Sequence, residues 1–194
     1  METRNRSVLF KGLVVDLEQM EVRIAGRGWH LYQIVRHPGG VGVLPLHDDG
    51  TVTLIRQLRP AVGGHLLEIP AGRLHPGEDP AECGRRELAE ETGLSPRALT
   101  PLGRFYPSPG VFDEVIHLFL GTGLSQGEAE HEQYEAIEIM RLPISEALRR
   151  AASGEILDGK TITALLRAEG ALRGAGEGHS SWGDIPARGG HFRF

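Results

Sequence analysis

Between Gly72 and Leu94 the chain reads GRLHPGEDPAECGRRELAEETGL, and Glu87, Glu90 and Glu91 fall within five residues of one another. On a helix, Glu87 and Glu91 stand one turn apart with Glu90 beside them. Like charges so spaced repel by roughly 0.2–0.5 kcal/mol per pair, so the cluster asks for a cation. Only oxygen ligands are on offer, with no Cys or His at ligand spacing, which points to Mg²⁺ or Mn²⁺ rather than zinc. The same residues also suit a solvated face on which Arg86 pairs with Glu90 and Arg85 with nearby acids. Spacing alone leaves both readings open.

The elements that must position these acids are legible around them. His75-Pro76-Gly77-Glu78 predicts a turn, because Pro sets φ at the second position and Gly tolerates positive φ at the third. Asp79 is an N-cap, Pro80 suits the first helical position, Glu82 stands where a capping box places an acid, and Gly93 marks the stop. Ala81, Gly84 and Leu88 then form the inward face, bordered by the acids. Upstream, Leu66 to Ile69 predicts a short strand with an internal Glu68, ended by Pro70-Ala71-Gly72. Before that, Val41 to Leu46 and Thr51 to Leu58 flank His47-Asp48-Asp49-Gly50 as a hairpin whose second strand leaves through Arg56-Gln57-Leu58-Arg59-Pro60. The motif is thus strand, loop, helix.

Further out, Val8 to Ile24 and Trp29 to Val35 alternate apolar and polar residues, as in an antiparallel ribbon too small to bury its own faces. After the helix, Phe105 to Gly110 predicts a loop stiffened by Pro107 and Pro109. Val115 to Leu120 predicts a strand, Gly121 to His131 a loop, Glu135 to Leu142 a strand, and Ile144 to Ala152 and Thr161 to Leu172 two helices. This order gives an α+β chain in three parts: a ribbon over 1–38, a main domain over 39–173, and a mobile tail over 174–194.

Composition narrows the class. A chain of 194 residues, 40% of them hydrophobic, suffices for one buried core. With 21 basic against 26 acidic residues the net charge is −5, which offers no broad field for nucleic acid and leaves an anionic substrate dependent on local cations. No apolar run approaches a membrane span or an export signal, so a soluble cytoplasmic protein is expected. The one cysteine, Cys83, is expected to be a small buried residue. The histidines show no metal-ligand pairing.

Gly72, Glu78, Arg86, Glu87, Leu88, Glu90, Glu91, Gly93 and Leu94 resemble, in identity and register, the signature of the Nudix hydrolases. The loop Ser108-Pro109-Gly110 with Asp113-Glu114, the RQLRP run, LLEIPAG, EAIE and the late DGKTITALL resemble the ADP-ribose pyrophosphatase group within that family. Pyrophosphatases of other nucleotide sugars share several of these. The resemblance covers roughly Val41 to Leu172 and implies an α/β/α sandwich with a mixed sheet and the motif helix at its centre.

It also implies roles. Glu87, Glu90, Glu91 and the carbonyl of Ala71 would hold magnesium, with Glu135 as a further ligand. Arg86 would anchor the motif by pairing with an acid such as Glu78. Arg36, Arg59, Gly110 and Glu114 match positions that bind substrate. The general base would come from an acidic loop holding Glu128, Glu130, Glu132 and Glu135. Gln133 stands where a relative has glutamate, which leaves Glu132, Glu135 and Glu90 as alternatives, or a metal-bound hydroxide that needs little help. The expected reaction is metal-dependent hydrolysis of ADP-ribose to AMP and ribose 5-phosphate, with another nucleotide sugar or a dinucleotide as the rival substrate and a non-catalytic sensor as the rival class. The ribbon, through Phe10, Trp29 and Tyr32, would grip adenine and be exchanged between the subunits of a homodimer.

Overall fold

The computed structural model describes residues 1–129 and 136–176. Strands β1 (Thr3–Lys11), β2 (Asp16–Ile24) and β3 (Gly28–Arg36) form an antiparallel N-terminal sheet in that order. The body holds β4 (Gly40–Pro45), β5 (Thr51–Arg59), β6 (Gly64–Glu68), β7 (Ala71–Arg73), α1 (Pro80–Thr92), β8 (Leu94–Phe105), β9 (Ile116–Gln126), β10 (Ile137–Pro143), α2 (Ile144–Ser153) and α3 (Gly159–Gly176). One body sheet runs β7-β4-β9-β8 and the other β10-β5-β6. The pair β4 and β9 is parallel and the remaining pairs are antiparallel, so the larger sheet is mixed, as expected of an α+β chain.

Strand β4 shows why the helices lie where they do. Its side chains alternate across the sheet, so Val41 and Val43 meet Cys83 and Leu88 of α1, while Leu44 joins Val52, Leu54, Ala164 and Leu165 on the other face. Gly42 is small because Ile69 fills its place: a Cβ there would lie 2.7 Å from the Ile69 Cδ1. The helix α1 therefore covers one face of the mixed sheet, and α2, α3 and the second sheet cover the other.

Four boundaries differ from expectation. The stretch Leu94–Phe105, to which the sequence pattern assigned no element, is a strand that includes Pro96 and Pro101. It is the edge of its sheet, where a missing N–H is tolerated, and its register shifts between Pro101 and Gly103. The predicted loop from Gly121 to His131 is strand as far as Gln126, because β9 keeps pairing with that edge. Ala71 and Gly72, read as the end of a strand, pair with β4 as β7. Helix α3 runs to Gly176, past the expected start of a tail at 174, and residues 177–194 lie outside the described residues. Among the described residues, no helix is long and apolar enough to cross a membrane.

Candidate active site

The acid edge is built locally. Gly77 takes φ +78° in the turn, the Glu78 N–H donates to the His75 carbonyl at 3.0 Å, and the Asp79 carboxylate accepts from the Ala81 and Glu82 N–H groups at 2.9 and 3.3 Å. Gly93, at φ +71°, closes the helix by donating to Ala89 at 2.8 Å. Buried Leu88 and Cys83 fix the helix on the sheet and so fix its acids. Glu91 is 2% exposed and accepts from the Ala71 N–H at 2.8 Å, which ties β7 to α1. Gly72 carries no side chain because a Cβ would run into the Glu87 carboxyl group.

Arg86 organises this edge from within. Its Nε and Nη2 donate to both oxygens of Glu78 at 2.9 and 3.1 Å, and its Nη1 donates to Glu87 at 2.8 Å and to Glu90 at 3.1 Å. One guanidinium thus answers three carboxylates, which resolves the repulsion expected of the bare helix. The hydrogen bonds from Arg86, with one from the His75 N–H, hold the Glu78 carboxyl down to about 2. The Arg86 guanidinium is pushed up, chiefly by Glu78. Burial, helped by Glu78 and Glu87, raises the Cys83 thiol to about 12, which removes it as a nucleophile.

A second wall is assembled from distant sequence. Arg59, ending β5, donates through Nε and Nη2 to the two oxygens of Glu68, both at 2.8 Å, and Glu68 is 1% exposed. Lys160 of α3 pairs with the same carboxylate and with Asp158 at 3.0 Å. Burial alone would raise the Glu68 carboxyl, but the Arg59 hydrogen bonds and Lys160 outweigh it and hold it low. The Thr161 hydroxyl donates to Asp158 at 2.5 Å and accepts from the Ile69 N–H at 2.8 Å, locking β6 to the start of α3.

The third part joins the N-terminal sheet to the body. Arg36 donates to Glu18 at 2.5 Å and to Asp113 at 2.9 Å, and Asp113 also accepts from the His37 N–H at 2.9 Å. The His37 Nδ1 lies 3.3 Å from Glu114.

All three parts border one cavity of about 680 Å³, lined among others by Ala71, Arg86 and Glu87, by Gln57, Arg59 and Lys160, and by His37 and Glu114. The structure thus brings Ala71, Arg86, Glu87, Arg59 and Glu114 to one cavity. Glu91 lies beneath Ala71, and Glu90 is half-exposed on the outer side of Arg86. Arg36 stands one residue before the lining His37, and Gly110 is exposed in the loop that precedes Glu114 in sequence. Glu128 is exposed after β9; Glu130, Glu132, Gln133 and Glu135 lie outside the described residues. Sequence reasoning gave no role to Gln57, His37, Glu68, Asp158 or Lys160. The lone acid in the apolar LLEI strand and the Asp three residues before Thr161 were the available signals.

The donor set fits a hard divalent cation. Glu87, Glu90, Glu91 and the Ala71 carbonyl are all oxygens, and the glycine at 72 leaves the Glu87 carboxylate its room. Among the described residues no three His, Cys, Asp or Glu side chains already converge as a metal centre. Glu91 holds Ala71 and Glu87 holds Arg86 instead.

Residues 36–165 match the model of the NUDIX domain. The chain belongs to the NUDIX family. Among NUDIX relatives it is 37% identical over 166 residues to an ADP-ribose pyrophosphatase of Bacillus subtilis (strain 168), covering 84% of this chain and 90% of that one. It is 37% identical over 143 residues to a GDP-mannose pyrophosphatase of Yersinia enterocolitica, covering 69% and 74% of the two chains. A crystal structure of an ADP compounds hydrolase superposes with a TM-score of 0.79 over 90% of this chain and 95% of that one at 20% identity, a likeness of NUDIX fold alone.

Proposed function

We propose that this chain hydrolyses the diphosphate of ADP-ribose to AMP and ribose 5-phosphate with Mg²⁺, Mn²⁺ serving as a substitute. The observation that carries this is the placement of the Glu87 edge and the Arg59–Lys160 wall around one cavity of about 680 Å³, wide enough for a nucleoside diphosphate sugar. The relatives that act on ADP-ribose and the side motifs around the acid edge support the choice of substrate.

Glu87, Glu90, Glu91 and the Ala71 carbonyl would hold the metal, with Glu135 as a further ligand. When bound, it neutralises diphosphate charge and eases deprotonation of the attacking water. Water attacks one phosphorus, the bridging P–O bond breaks, and the proton passes to Glu132, Glu135 or Glu90. Arg86 keeps Glu87 aimed at the cavity. Arg59 and Lys160 face the phosphate oxygens, while Arg36, Gly110 and Glu114 shape the sugar side. The apolar residues Val8, Phe10, Leu31 and Tyr32, exposed on the N-terminal sheet, would meet a second copy of the chain and bring the adenine grip with them. A cytoplasmic location accords with the free Cys83.

The test is relative kcat/KM for ADP-ribose, GDP-mannose, ADP-glucose and NADH with saturating Mg²⁺. ADP-ribose is expected to lead. A lead for GDP-mannose would move the chain to the activity of its other relatives, and no turnover of any would overturn the reading.

A further inference from the structure

One polar group on the cavity wall is left unused by this account. Gln57 is 9% exposed, and its Oε1 has no hydrogen-bond partner among the described residues. It stands two residues before Arg59 on β5, so both side chains leave the strand on the same side and both line the cavity with Lys160. Buried acceptors are nearly always paired, and an exception on a cavity wall marks a place where a ligand supplies the donor.

The chemistry of the missing donor is restricted. An ionised diphosphate offers acceptors alone, and these suit Arg59 and Lys160. The nucleobase has its own place at the N-terminal sheet under the proposed function, on which this step rests. Sugar hydroxyls are the remaining donors of a nucleoside diphosphate sugar. We propose that Gln57 is a specificity-determining residue whose carboxamide oxygen accepts a hydrogen bond from a sugar hydroxyl of the substrate, across from the arginine and lysine that take the diphosphate. The hydroxyl belongs either to the nucleoside ribose or to the sugar beyond the diphosphate.

Gln57→Met in the full chain keeps the length and removes the acceptor. The substrates are ADP-ribose and analogues that each lack one hydroxyl of one ring. The wild type is expected to lose about tenfold in kcat/KM on one analogue, and the ring concerned names the source of the hydroxyl. Gln57→Met is expected to lose about tenfold on ADP-ribose and nothing further on that analogue. Its melting temperature without ligand should equal or exceed that of the wild type, since the substitution removes an unpaired buried acceptor. Gln57→Glu, which keeps an acceptor there, should still discriminate against the same analogue. The proposal is overturned by a wild type indifferent to every analogue, by undiminished discrimination in Gln57→Met, by its loss in Gln57→Glu, or by a lowered melting temperature that assigns Gln57 to the fold. A wild type that turns over no nucleoside diphosphate sugar overturns the proposed function instead.

Discussion

Two walls of the same cavity solve opposite problems. On α1, acids crowd together within a few residues, and Arg86 from the same helix, with Glu78 just before it, keeps them apart. On the wall made by β5, β6 and α3, cations gather from Arg59 and Lys160, more than a hundred residues apart in sequence, and the buried Glu68 holds both. The first wall is a local arrangement of carboxylate oxygens, held by Arg86 and the Ala71 N–H, whose chemistry suits a hard cation. The second is a tertiary one whose spare donors await an anion. A metal and a diphosphate between them would answer both, and this complementarity, more than either cluster alone, carries the functional reading.

Substitutions can break the two walls separately. The largest effect is expected from Glu91→Gln or Glu87→Gln: a fall in kcat of roughly 10³-fold with the far-ultraviolet spectrum unchanged, read by steady-state kinetics with saturating Mg²⁺. Near wild-type turnover in either would remove the acid edge from the chemistry. Gly72→Ala forces a methyl against the Glu87 carboxyl group, and a displacement of that kind costs about 10²-fold in kcat. If Gly72→Ala is fully active, the close approach of β7 and α1 has no catalytic meaning.

On the other wall, Glu68→Ala leaves Arg59 and Lys160 without their buried partner. A loss of about 3 kcal/mol in unfolding free energy is expected by denaturant titration. Stability within 1 kcal/mol of wild type, to take a rough threshold, would show that water serves these cations as well as Glu68 does. Arg59→Lys forfeits the two-pronged bond to Glu68 and should raise KM more than it lowers kcat.

The smallest effect concerns pH. The Glu78 carboxyl titrates near 2 in the folded chain and at its ordinary, higher value when unfolded. A depressed folded value means that its bond to Arg86 contributes stability above the unfolded value, and that this contribution fades as pH falls towards 2. The melting temperatures of wild type and Glu78→Gln should therefore differ at neutral pH and converge in acid. A gap that stays constant down to pH 2 would contradict the link.

The contrast between the walls also explains what could be read from the chain. The turn, cap, helix and stop from His75 to Gly93 obey short-range rules, so the helical positions of Glu87 and Glu91 and the burial of Cys83 followed from spacing. The pairing of Arg86 with Glu78 was implied by family resemblance and is present. Lys160 and Glu68 meet only because the end of β6 lies against the first turn of α3, and no periodicity announces that. Gln57 was visible merely as a residue beside Arg59, since an unpaired acceptor exists only once its surroundings do. Strand β8 was hidden by prolines whose cost depends on being at a sheet edge, and the run of β9 past Gly121 was hidden with it. The acids that would decide the base, Glu132 and Glu135, lie outside the described residues.

The most direct test of the central claim is phosphorus NMR of ADP-ribose incubated with the full chain and Mg²⁺. The account predicts that the diphosphate resonances give way to those of AMP and ribose 5-phosphate in equal amounts, and that Glu91→Gln leaves them in place over the same interval. Intact ADP-ribose with the wild-type chain, or equal hydrolysis by Glu91→Gln, would contradict it.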